Sequence, residues 1–282
     1  MAASLGLASA IAHAEGFGSA GAGIVYDDNL TRAQNQPDIR ADTAATATAS
    51  GGWYIAATGS DGVSLVIDAT GEAYARFHGL DSVSVGAGAT WRHKFGTGLE
   101  VPWASLSLNA AHGAWRDDIR NGNLFDASLE FGKRFGESFD ASLGVAYDRR
   151  TADHDRPVVP GISGAVFDLS GNSAFVRAAY DITPVLQLGA RFGVRRGDVV
   201  STTRINLPIF LASDAIAADP AFGSEFFAYR LRGTTSTATV NLSWVLSDRS
   251  SLNLAYADSR TKAYDDLDYR NRATTLSLAW SF

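Results

Sequence analysis

Apolar and polar residues alternate along most of this chain. In the closing stretch TTLSLAWSF, Leu276, Leu278, Trp280 and Phe282 share one face, and Thr275, Ser277, Ala279 and Ser281 share the other. A period of two is the signature of a β-strand. The same alternation runs through 63–77, where Val63, Leu65, Ile67, Ala69, Ala73 and Phe77 oppose Ser64, Asp68, Thr70, Glu72 and Arg76. It recurs at 139–148 and 186–195, and at 240–246 Val240, Leu242, Trp244 and Leu246 interleave with Asn241 and Ser243.

Turn clusters punctuate these runs. Tight ones fall at 59–62, 96–98, 136–138, 181–184 and 247–250. More variable connections fall between them, at 28–41, 78–82, 117–123, 151–167, 203–226 and 265–268. Short and longer connections alternate strictly, which predicts about twelve antiparallel strands with tight turns at one end and loops at the other. An even count returns the C-terminus to the side where the N-terminus began. Phe17, Trp53, Trp91, Phe95, Phe139, Tyr180, Trp244, Trp280 and Phe282 gather near strand ends, as a girdle at a membrane interface requires.

Composition narrows the choice of fold. The 282 residues contain 28 Gly and 7 Pro, a strand-and-turn balance. No apolar run reaches the length of a membrane-spanning helix, and the mean hydropathy is −0.03; a helical span is excluded. With no Cys there is neither a disulfide framework nor a thiolate metal site. The net charge of −6 argues against nucleic acid as a partner. Residues 1–14, ending in Ala12-His13-Ala14, read as the remnant of a secretory signal cut before Glu15; 15–282 then form the single folded domain.

A β-sandwich also alternates, but it does not sort its connections into a short end and a long end, and its outer faces carry many charges. Here one face is apolar in almost every strand and the charges fall on the other. Hydrocarbon offers no partners to backbone polar groups, so the sheet must close. The expected fold is all-β: one antiparallel up-and-down transmembrane β-barrel. The terminal strand, with Leu276, Leu278, Trp280 and Phe282 toward lipid, resembles the assembly signal of Gram-negative outer-membrane β-barrels. That resemblance implies the bacterial outer membrane as location and the barrel-assembly machinery as partner. YDDNLTRA at 26–33 is similar to the first-strand exit in the barrel of surface lipoprotein assembly modifiers.

The inner face then carries the chemistry. By parity it holds Asp68, Glu72 and Arg76, then Arg92, then Asp126, Glu130 and Arg134, then Asp140 and Asp148, then Arg177, and finally Arg191 and Arg195. Antiparallel neighbours sit side by side, so Asp126, Glu130, Asp140 and Asp148 form an acidic stripe beside a basic one of Arg177, Arg191 and Arg195. Two fillings are open: paired charges packing a small lumen, or a water channel whose opposed stripes select polar or charged solutes. Small inward residues (Gly86, Gly88, Ser105, Ser107, Gly144, Gly189, Gly193, Ser243) point to the second.

The apolar connection 203–226 is expected to fold into the mouth, or else to dock a protein partner, and SDAIAADP within it reads as a helical turn capped by Ser213 or Asp214 and stopped by Pro220. The connection 157–167 is expected to pack beside it. Arg260, Lys262, Arg270 and Arg272 at the rim suit lipopolysaccharide phosphates. Asp27, Asp28, Asp265, Asp266 and Asp268 meet if the first and last strands pair, and read as a solvated rim, with divalent-cation binding as the alternative. His13, His78, His93, His112 and His154 lack ligand spacing. His93 and His112 fall on the lipid face without a serine beside them, so no catalytic residue and no cofactor are expected. The expected function is a narrow charge-lined channel for small polar or charged solutes. The alternative is a non-conducting barrel that docks or helps export another protein through its outer loops.

Overall fold

The computed structural model describes residues 14–263 and 267–282. Thirteen strands are found among these residues: β1 (Ala14–Asp27), β2 (Asp42–Ala56), β3 (Asp61–Tyr74), β4 (Ser82–Lys94), β5 (Trp103–Trp115), β6 (Gly122–Phe135), β7 (Phe139–Ala152), β8 (Leu169–Thr183), β9 (Leu186–Thr203), β10 (Ala215–Ala218), β11 (Phe227–Ser247), β12 (Ser250–Ala263) and β13 (Asp268–Ser281). Twelve of them form a ring, each pairing antiparallel with its neighbours. β11 pairs with β9 from Phe227↔Thr203 to Trp244↔Leu186, and β1 pairs with β13 from Ser19↔Ser281 to Asp27↔Ala273. The second pairing closes the barrel. Phe282 fastens that seam, exchanging two backbone hydrogen bonds of 3.0 Å with Gly18. The short β10 stands outside the ring and pairs with the start of β11.

The connections sort into two ends. Residues 57–60, 95–102, 136–138, 184–185 and 248–249 turn at the end where β1 starts and β13 ends. At the other end are loops L1 (28–41), L2 (75–81), L3 (116–121), L4 (153–168), L5 (204–226) and L6 (264–267, of which Leu267 is described). Side chains obey the strand period. Ile67, Leu143, Val145, Val176 and Phe192 point outward, and Leu143 is 62 % exposed. Such an outer surface is stable only against hydrocarbon. Phe17 departs from the expected girdle: its register partner is Gly52, which sets it on the inner face.

The core sits where an up-and-down barrel needs none, at the loop end. β9 and β11 are longer than the other strands, with 18 and 21 residues, and their upper halves line a packed interior. Val199, Tyr229, Leu231 and Tyr269 from the wall are buried against Ile209, Ile216 and Leu267 from the loops. Within L5, the helix α1 spans Leu207–Ala212, and the Asn206 side chain accepts a hydrogen bond from Ile209 N at 3.3 Å. The helical turn expected at SDAIAADP is instead the strand β10. Ala215, Ile216 and Ala217 gain a hydrogen-bonded partner in 228–230 and lie fully buried there, which a solvated helical turn would not supply. Residues 1–13 of the expected signal segment and the acidic pair Asp265 and Asp266 lie outside the described residues, while Ala14 begins β1.

Candidate functional site

Two structures share the barrel: an inner wall and a cap. On the wall, the registers set Asp68, Glu72, Arg92, Asp126, Glu130, Arg134, Asp140, Asp148, Arg177, Arg191 and Arg195 on the inner face. Arg76 is not part of it. β3 ends at Tyr74 because Asp81 accepts the Tyr74 backbone N–H at 2.8 Å. The chain then enters L2, and Arg76 stands at the rim beside Asp42.

The acidic residues of β6 and β7 meet the basic ones across neighbouring strands. Arg134 pairs with Asp140 at 2.9 Å and with Asp181 at 2.8 Å. Arg177 reaches Glu130 at 3.3 Å, and Arg195 grips both oxygens of Asp148 at 2.8 and 2.5 Å. Arg195 crosses β8 to do so: a Cβ on Gly171 would lie 2.4 Å from its guanidinium. The stripes therefore largely neutralise each other locally. Arg191, Asp68 and Asp126 make no ion pair among the described residues, and Asp126 lies directly opposite Asp148 in register. In the ring of twelve, β3 and β9 are six steps apart either way round. The strand that carries Asp68 and Glu72 thus stands across the lumen from the strand that carries Arg191. Hydroxyl pairs such as Thr90–Ser107 (2.9 Å), Thr235–Thr261 (2.8 Å) and Thr237–Ser259 (2.9 Å) tile the remaining wall.

The cap is built by L5, which reaches every other loop. Arg204 bonds Asp38 of L1 at 2.7 Å. Phe222 packs on Phe77 of L2 at 5.1 Å between ring centroids. Ile216 N donates to Ser163 O of L4 at 2.8 Å, so 157–167 does pack beside it. Leu267 of L6 shares a cluster with Ile209 and Ile216. Asp219 of L5 accepts from Arg120 of L3 at 2.6 Å and from Thr202 at 2.9 Å. Because these loops surround the ring, L5 spans the mouth.

Arg120 is the hub of the cap. It also bonds Asp117 at 2.8 Å and lies against the rings of Phe167 and Phe222. Arg150 from the wall continues the stack, 4.4 Å from Trp115 and 5.0 Å from Phe167. Burial pushes the Asp117 carboxyl up, although Arg120 pulls it down. Asp118 goes the other way, held below its ordinary value by its hydrogen bonds to Arg156 of L4. None of Arg120, Asp117 or Asp219 is visible in strand periodicity. They stand in loops that meet only in three dimensions.

Other sequence candidates resolve individually. YDDNLTRA is a hydrogen-bonded turn: Asp27 accepts from Asn29 N (2.8 Å) and from Arg32 (2.9 Å), and buried Asn29 donates to Ala33 O (2.8 Å). At the rim, Arg260 is tied to Asp268, and Arg270 to Asp258. His93 bonds Asp61 at 2.8 Å, and no serine hydroxyl bonds either ring nitrogen among the described residues.

A closed ring with an apolar outer band and a polar inner wall is a transmembrane β-barrel. Solved structures of that architecture resemble it. An outer-membrane channel of Pseudomonas putida F1 aligns with a TM-score of 0.60 and 12% identity, covering 95% of this chain and 95% of that one. The porin NanC aligns with a TM-score of 0.52 and 8% identity, covering 93% of this chain and 98% of that one. At these identities the likeness is one of fold. No family model matches the chain, and no curated protein does.

Proposed function

We propose that the protein is an outer-membrane channel that passes small polar or charged solutes through a narrow, charge-lined lumen. One observation carries the reading. Arg92, Asp126, Arg177 and Arg191 point inward by register yet remain exposed, so the lumen between turn end and cap is wide enough to hold water. A packed interior would bury them. Two solved structures of similar fold, an outer-membrane channel and a porin, support this reading. Passage requires L5 to move, since it spans the mouth; the cap is then the gate. Leu276, Leu278, Trp280 and Phe282 serve as the lipid face and assembly signal of the last strand, and Arg260, Lys262, Arg270 and Arg272 face lipopolysaccharide. Single-channel recording of the refolded barrel tests the reading. Conductance whose selectivity shifts toward cations in Arg191→Ala supports it, and a folded but silent barrel under every voltage and pH refutes it.

A second reading has its own observation. Around α1, Ile205, Leu207 and Leu211 are 80, 65 and 73 % exposed at the loop end. An apolar ridge of this kind suits a docked protein. A silent barrel that copurifies with one partner, and loses it on Leu207→Ser/Leu211→Ser, would establish that role instead.

A further inference from the structure

Phe175 points inward from the middle of β8 yet is only 5 % exposed. It lies over Gly144, where a Cβ would stand 2.5 Å from its ring. Arg177 and Arg191 cover the rest, with guanidinium carbons 4.8 and 4.5 Å from its centroid. These two arginines are register partners on β8 and β9, and like charges placed directly opposite each other repel. One carboxylate reaches the pair, from β6 and on the Arg177 side. Glu130 takes Arg177 at 3.3 Å and is already held by the Ser142 hydroxyl at 2.5 Å. Arg191 has no ion pair and donates no hydrogen bond among the described residues. Its planar fork of five donors is held over an aromatic face with nothing to bind.

That fork opens into space. Arg191 lines three cavities: an apolar one of about 700 Å³ with Leu143, Val176 and Phe192, and two more polar ones, of about 410 Å³ with Arg177, Ser142, Gln187 and Asn241 and about 230 Å³ with Ser173, Thr237 and Thr239. The two polar ones fall near and below the lower end of the range of small-molecule sites, about 300 to 1,000 Å³.

We propose that Arg177 and Arg191, mounted on Phe175, form a binding site for the carboxylate of a small polar organic acid. The carboxylate takes the place of the missing acceptor. Two planar forks match its two oxygens, and the surrounding hydroxyl and amide groups hold the rest of the molecule. The inference rests on the channel reading for the route by which the acid arrives.

The test is titration calorimetry of the folded full-length barrel in detergent. Succinate, its neutral diamide and inorganic phosphate are the probes, and the proteins are wild type, Arg191→Gln and Arg249→Gln in a distant turn. Circular dichroism checks the fold of each. Saturable succinate binding is expected, weakened about 10- to 100-fold by Arg191→Gln, unchanged in Arg249→Gln and absent for the diamide. The site is refuted by no binding in wild type, by binding that survives Arg191→Gln, or by equal or tighter binding of the diamide or phosphate. Recording from the same preparations separates the two ideas. Current without succinate binding sinks the site and keeps the channel; binding by a silent barrel keeps the site and sinks the channel.

Discussion

Arg120→Met is the substitution that probes the cap most directly. Methionine keeps much of the side-chain volume among Phe167 and Phe222 and removes the charge. Asp219, which is 0 % exposed, and Asp117 would then face each other without a cation. Breaking a buried pair by removing one partner costs about 3–5 kcal/mol. The strand ladders do not run through Arg120, so the loss falls on the cap and leaves the wall intact. At about 1.4 kcal/mol per tenfold, the open population of L5 rises by roughly two to three and a half powers of ten. Hydrogen exchange resolved at 215–218 reads that change, and channel open probability should follow it. Arg120→Met/Asp219→Leu is expected to recover part of the loss, because an apolar replacement of both partners is often near neutral. Exchange rates at 215–218 within threefold of wild type would refute the reasoning, since they would mean that the pair does not hold the cap shut.

Leu143→Arg, on the outer face of β7, should destabilise the barrel in lipid vesicles by about 2–4 kcal/mol if it lies near the bilayer midplane. Thr48→Arg, on the inner face of β2, should cost far less; equal losses in urea titration would contradict the face assignment. Gly144→Ala drives a Cβ into the Phe175 ring and should cost about 1–3 kcal/mol by overpacking, read as a lowered unfolding midpoint. For pH, Asp118 sits below its ordinary value, so its link to Arg156 contributes above the unfolded pKa and is lost as pH falls through the lower folded one. Asp117 is raised by burial, so protonation on acidification relieves its cost instead. Loop amide shifts followed by NMR should therefore show L4 loosening below the usual carboxylate range in wild type, and no such step in Asp118→Asn.

The inner wall was legible in part. Alternation names Arg177, Arg191 and Arg195 as inward, because a strand period is a local property of the backbone. It does not reveal that Arg195 is spent on Asp148 while Arg191 is left over. That depends on which strand lies two places away and on a glycine at the crossing point. Arg76 shows the same limit at a boundary. Parity counts it inward, but the capping of Tyr74 N by Asp81 ends the strand before Arg76 is reached.

What the sequence determined by itself is the barrel: strand number, the sorting of turns from loops, and which face meets lipid. These follow from a two-residue period and from turn chemistry, both readable within a dozen residues, and from the bilayer's refusal of unpaired backbone groups. What only the tertiary structure decided is the cap. SDAIAADP pairs as a strand because L5 lies along the start of β11. Arg120 is buried because loops from L1 to L6 converge on one mouth. Closing that mouth depends on contacts between segments far apart in the chain, such as Arg120 with Asp219 (99 positions) and Arg204 with Asp38 (166 positions). No local pattern encodes such contacts, because their energy comes from burial that exists only once the ring has closed.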